Sequence, residues 1–199
     1  MCDSGESLKV DLEFAKSAAD RLCWFVSAEG EAKMTLSNYD ALLPANPLDK
    51  IEDVALDRDW TFERSGEYEL DLVLAGEWGD YSVLVSWRDD LETLNVALQV
   101  DLKAPSKKRA AIIDLLVMIN EQLPLGHFDF WLEEGVVLFR YGLLLRGCPD
   151  ATDDQCEELL RMAMSACDRF YPAFQYVIWA GNSPKEALKA VLFDTQGEA

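Results

Sequence analysis

Apolar and polar positions divide the chain into a weakly tied N-terminal stretch and a densely patterned remainder. Residues 1–7 are small and polar, which predicts disorder. Leu8, Leu12, Ala15, Ala19, Leu22 and Val26 then recur at helical spacing, with charged residues between them. That period predicts an amphipathic helix. Ser37 to Pro47 carries Ser, Asn, Asp and two Pro and reads as a linker. Met34 offers an alternative start, which would leave residues 1–33 outside the native protein. The expected organisation is an extension over 1–45 and one domain over 46–199.

From Asn46-Pro47 the pattern tightens. Pro at the first helical position lacks only an N–H that a helix leaves unbonded there. Leu48, Ile51, Val54 and Ala55 give the apolar stripe, ending near Asp57–Asp59. Period-two alternation follows in four runs: Trp60 and Phe62; Tyr68 to Leu74; Tyr81 to Trp87; Leu94 to Leu102. Short turns between them predict an antiparallel meander with one buried face and one wetter face.

Ser106 is the expected N-cap of a helix over Lys107–Gln122. Val117 and Met118 broaden its apolar stripe, so it is expected to be covered on two sides. A second hairpin places Phe128, Phe130 and Leu132 on one face and His127, Asp129 and Trp131 on the other. Its return strand, Val137 to Leu145, is apolar on both faces, as a central strand would be.

Thr152 and Gln155 form a capping-box pattern ahead of a helix with Cys156, Leu159, Leu160, Ala163, Cys167 and Phe170 on its apolar side. Pro172 is expected to punctuate it. Phe174 to Trp179 suits a strand by residue type, but its period favours a resumed helix ending at Gly181. Ser183-Pro184 opens a last short helix.

Charge changes the picture of partners. The chain has 18 Lys+Arg and 37 Asp+Glu, for a net charge of -19. Nucleic-acid binding gains affinity when cationic side chains replace counterions, so nucleic acid is not expected as a partner. An anionic membrane surface is disfavoured for the same reason, and no apolar run approaches a membrane span. The excess is local: residues 47–106 hold 15 acids and 5 bases, whereas 107–151 hold 6 and 5. Solvated acids on the outer face of the meander are the expected source. The first residues lack a basic and then apolar signal pattern, so the cytoplasm is the default location.

Candidate chemistry is sparse. Cys2, Cys23, Cys148, Cys156 and Cys167 fit no zinc spacing and are expected to be reduced structural thiols. One His excludes any site that needs two. His127 could act as a base oriented by Asp129, but no nucleophile is placed beside it. The adjacent acids Asp89-Asp90 and Glu133-Glu134 fall at turns and are expected to be solvated. No phosphate loop or nucleophile elbow is present, and no metal or cofactor is expected. Arg140 lies on a strongly apolar strand and needs either a carboxylate partner or an anionic ligand. Aromatic residues on both faces of the second hairpin suggest a contact surface as well as core.

Asn120 to Gly147 (NEQLPLGHFDFWLEEGVVLFRYGLLLRG) resembles the YbjN-like family of bacterial sensory transduction regulators. Asn46–Asp49 (NPLD), Trp87–Leu91 (WRDDL) and Arg169–Ala180 (RFYPAFQYVIWA) carry the likeness over residues 46–199. It implies a fold similar to that of type III secretion chaperones, which are small, acidic, often dimeric and hold partner proteins without chemistry. The N-terminal extension and the helices after Pro172 depart from that pattern, and fold alone does not fix function.

The expected fold is therefore α+β, with helices on one side of an antiparallel sheet. The expected role is non-enzymatic capture of a protein partner on Phe128, Phe130 and Trp131, in a chain that could form a homodimer. The alternative is a small-molecule sensor with Arg140 as the anchor for an anionic ligand.

Overall fold

The computed structural model describes residues 46–147 and 151–194, all within the unit Pro44–Ala199. The predicted N-terminal helix, the linker, the Met34 alternative and three of the five Cys lie outside the described residues. Helix α1 spans Pro47–Asp57. Asn46 caps it: its side-chain oxygen accepts from the Leu48 N–H at 3.0 Å, and its amide nitrogen donates to the Glu67 carbonyl at 2.7 Å. The stripe Leu48, Ile51, Val54 and Ala55 is buried, as its spacing dictates.

Four strands follow: β1 Thr61–Arg64, β2 Glu69–Ala75, β3 Asp80–Arg88 and β4 Thr93–Lys103. They pair antiparallel in sequence order. Helix α2, Arg109–Asn120, then leads to the hairpin of β5, His127–Trp131, and β6, Val136–Leu144. The sheet order is β1-β2-β3-β4-β6-β5, so β6 docks on β4 and β5 forms the edge. This agrees with β6 reading as an interior strand: Val137, Leu138 and Phe139 are all buried.

Register explains which residues share the core. Leu72 lies opposite Val83, Val83 opposite Leu98, Leu98 opposite Phe139, and Phe139 opposite Phe128. Strand side chains alternate between faces, so this row and its neighbours form one apolar face. The stripes of α1, of α2, of α3 (Asp153–Gln175) and of α4 (Pro184–Asp194) join it in one cluster. The result is the expected α+β architecture.

Four expectations need correction. Ser106 does not cap α2. Pro105 holds extended backbone, Ser106–Lys108 form a 3-10 turn, and the α-helix starts at Arg109. Helix α2 is not covered on two sides by the described residues, since Ile113 and Val117 are exposed. The acids of 47–106 are not mainly on the outer sheet face. Glu63, Glu69 and Asp71 stand there, but most of the others lie on α1 and at turns. On that wetter face Leu84, Ala97 and Leu138 are nonetheless buried.

The fourth concerns Pro172, which does not end its helix. Helix α3 runs 23 residues through Pro172 and passes into a π-helical turn, Tyr176–Ala180. Gly181, at φ 78, then stops it in the left-handed region that glycine tolerates. At its other end the capping box is present as predicted, with Thr152 and Gln155 bonded reciprocally at 3.1 and 3.0 Å.

Candidate functional site

The second hairpin carries the residues singled out by sequence, and the strand period separates them. Phe128 points into the core, 2% exposed. Its ring meets Phe139, Phe174 and Phe170 edge to face, at 5.3, 5.4 and 6.1 Å between centroids. It therefore has no surface to offer a partner. Phe130 shares that face and is partly buried against the core. Trp131 projects to the opposite face beside Val136 and is half-buried. The three residues do not make one contact surface.

Arg140 resolves its predicted need for a partner within the hairpin. Its guanidinium donates to Asp129 Oδ2 at 3.2 Å, and both side chains remain about one-third exposed or more, at 34% and 40%. An ion pair in that setting contributes little to stability. The other Asp129 oxygen accepts the Phe130 N–H at 2.8 Å. Asp129 is thus oriented by Arg140 and the backbone. His127 is exposed at the strand start, directly across from Arg140. The His127–Asp129 dyad considered from sequence is not assembled. No group of three or more His, Cys, Asp or Glu is placed to hold a metal among the described residues. No helix among them is long and apolar enough to cross a membrane.

A concave site lies next to this hairpin. β5 pairs with β6 only over His127–Trp131 against Val136–Arg140. Tyr141–Leu144 extend past it and pair with β4 alone. The N-terminal half of α3 runs alongside this overhang and leaves a groove of about 640 Å³. Leu125, Tyr141, Leu143, Leu159 and Met162 supply its apolar floor. Asp154, Glu157 and Glu158 supply an acidic rim. Glu157 accepts from Arg58, and Glu158 from Arg161 at 2.7 Å. The groove was not singled out from sequence. Its signal was the unequal length of the two predicted strands, whose excess must leave an unpaired edge.

Asp168, on the opposite stretch of α3, organises a second cluster. Its Oδ1 accepts from the Tyr81 hydroxyl at 2.7 Å and the Glu77 N–H at 2.8 Å. Burial, then the hydrogen bond to Asp168 and its charge, push the Tyr81 phenol far above its usual range, so it stays a donor. The β2–β3 turn is thereby fastened to α3. Buried Cys156 and Cys167 are also on α3. Burial pushes the Cys156 thiol up to about 11, reinforced by Asp153, and burial raises Cys167 well above its ordinary value. Both are poor nucleophiles, in keeping with structural thiols.

No match was found among curated proteins. The crystal structure of YbjN from E. coli is similar at 14% identity, covering 61% of this chain and 85% of that one, with a TM-score of 0.44. The family model described as "Putative bacterial sensory transduction regulator" matches residues 47–176, from the first residue of α1 to the start of the π-helical turn. That match takes in the whole sheet, the groove and the Asp168 cluster, and the chain belongs to the YbjN family.

Proposed function

We propose that the chain is a non-enzymatic regulatory module that captures a segment of a protein partner in the groove between the β6 overhang and α3. The carrying observation is the combination of an apolar floor and an unpaired strand edge in one concave site. Binding sites are typically concave and mostly apolar, with a few placed polar groups. Membership in a family of regulators supports a binding role over catalysis. Of the three aromatic residues first considered, Phe130 and Trp131 keep accessible surface and Phe128 keeps none. The anionic-ligand reading loses support, because Arg140 is engaged by Asp129 and the charged groups lining the groove are all acids.

The test is a photo-crosslinking residue placed at Leu125, half-exposed at the groove, with the somewhat more exposed Leu56 on α1 as the control. In native cells, Leu125 is expected to give discrete protein adducts that Leu56 does not. Adducts absent at Leu125, or equal at both positions, refute the reading.

A further inference from the structure

Resting on that protein-binding reading, we infer that the partner segment is extended, basic and apolar, and adds as a strand to the overhang of β6. The backbone phase of the sheet carries this. Leu145 N–H donates to the Glu92 carbonyl at 2.8 Å, and residues 92 and 145 are opposite in the β4–β6 register. Hydrogen-bonded pairs alternate along an antiparallel ladder. Leu143 and Tyr141 therefore turn their N–H and C=O toward β4. Gly142 and Leu144 aim theirs the other way, at the side where β5 has ended. Both residues are exposed. The overhang of four residues offers about 13 Å of edge.

Strand addition takes its affinity from the main chain and its selectivity from pockets for alternate side chains. Here the alternate side chains of an added strand fall over Tyr141 and Leu143 on the sheet and against Leu159 and Met162 on the helix. Those positions want apolar groups. Next to them stand Asp154, Glu157 and Glu158, with no Lys or Arg in the groove lining. Arg58 and Arg161 engage Glu157 and Glu158 from outside it, and Asp154 remains exposed. The local field selects Lys or Arg on the incoming strand. A second copy of this chain is a poor occupant, because each copy carries a net charge of -19.

The experiment titrates the full chain with a capped eight-residue peptide that has threonine at alternate positions and two valines and two lysines between them, so that valine and lysine share the face turned to α3. It is run beside an alternately N-methylated version and a version with glutamate for lysine. Backbone amide shifts and fluorescence anisotropy are the readouts. The lysine peptide is expected to shift the amides of Gly142 and Leu144 and to weaken as salt rises. N-methylation on the bonding edge and the glutamate exchange are each expected to weaken binding at least about tenfold. Leu144→Pro removes an outward N–H without touching the β4 ladder and is expected to abolish the shifts; the N-methylated peptide removes the reciprocal donors, to the Gly142 and Leu144 carbonyls, without altering the protein. Equal binding of the N-methylated or glutamate peptide overturns the inference. So does a dimer in sedimentation that Leu144→Pro dissociates, which assigns the edge to a second copy. If no peptide binds while Leu125 still gives adducts, strand addition fails and the protein-binding reading stands. If the adducts are also absent, both fail.

Discussion

The indole N–H of Trp78 donates to the backbone carbonyl of Asp168 at 3.0 Å, and Asp168 stands four residues before Pro172. In an α-helix that carbonyl would accept from residue 172, but proline has no N–H. Trp78 supplies the missing donor from the β2–β3 turn, and its ring stacks on Tyr171 with centroids 5.9 Å apart and planes 8° from parallel. This contact lets α3 pass a residue that ordinarily breaks helices.

Trp78→Phe keeps an aromatic ring and removes the donor, so it is expected to cost about 1 kcal/mol in urea unfolding. In a Pro172→Ala background, residue 172 can bond the Asp168 carbonyl itself. The same Trp78 change should then cost less. Equal costs in the two backgrounds would show that the indole does not serve that carbonyl.

The Asp168 carboxylate fastens the same turn from the side-chain direction. Tyr81→Phe deletes one hydrogen bond to a charged acceptor and is expected to cost roughly 1.5–3 kcal/mol. Asp168→Ala strands both Tyr81 and the Glu77 N–H and should cost more. Gly76→Ala should also destabilise, because its Cβ would lie 2.1 Å from the Tyr81 ring. Thermal melts of the three variants check the order. A neutral Asp168→Ala would refute the role of the cluster.

Core and surface should separate cleanly on β5. Phe128→Ala opens a cavity among three aromatic rings, those of Phe139, Phe170 and Phe174, and is expected to cost about 3–5 kcal/mol. Trp131→Ala, half-exposed on the other face, should cost clearly less. Loss of partner capture in the Phe128 variant would therefore report unfolding. Denaturant titration of both variants distinguishes the two positions, and similar costs would contradict the assignment.

The α3 thiols give a chemical and a pH signature. Alkylation at pH 8 with peptide mapping should leave Cys156 and Cys167 unmodified in the native chain and modify both in urea. Cys156 titrates near 11 in the fold against an ordinary value of 9.0. A folded-state value above the unfolded one means that its contribution is complete below pH 9 and is lost as pH rises toward 11. Unfolding free energy should fall across that window, less steeply in Cys156→Ala. Identical slopes would exclude Cys156 as the source.

Much of this architecture is legible along the chain, for local reasons. Asn46-Pro47 and Thr152–Gln155 encode helix starts within four residues. The alternation from Leu70 to Leu102 encodes strands and their buried face. Arg140 announces its need for a carboxylate by lying on an apolar strand, and Asp129 meets it. The groove was less legible. Its floor comes from Leu125, two β6 residues and two α3 residues, which belong to three separate segments and show no shared pattern along the chain.

The sequence by itself determined the element types, most of their limits and the acidic character of the chain, because periodicity, capping and turn chemistry act over a few residues. Tertiary structure alone decided that β6 inserts between β4 and β5, leaving four residues of β6 past the end of β5 beside an acidic rim. It also decided that α3 continues through Pro172. Both depend on partners distant in the chain: the donor that rescues the Asp168 carbonyl is 90 residues away. A local pattern can state that a backbone group is orphaned or an edge unpaired, but only the folded chain brings the group that satisfies the one or leaves the other open.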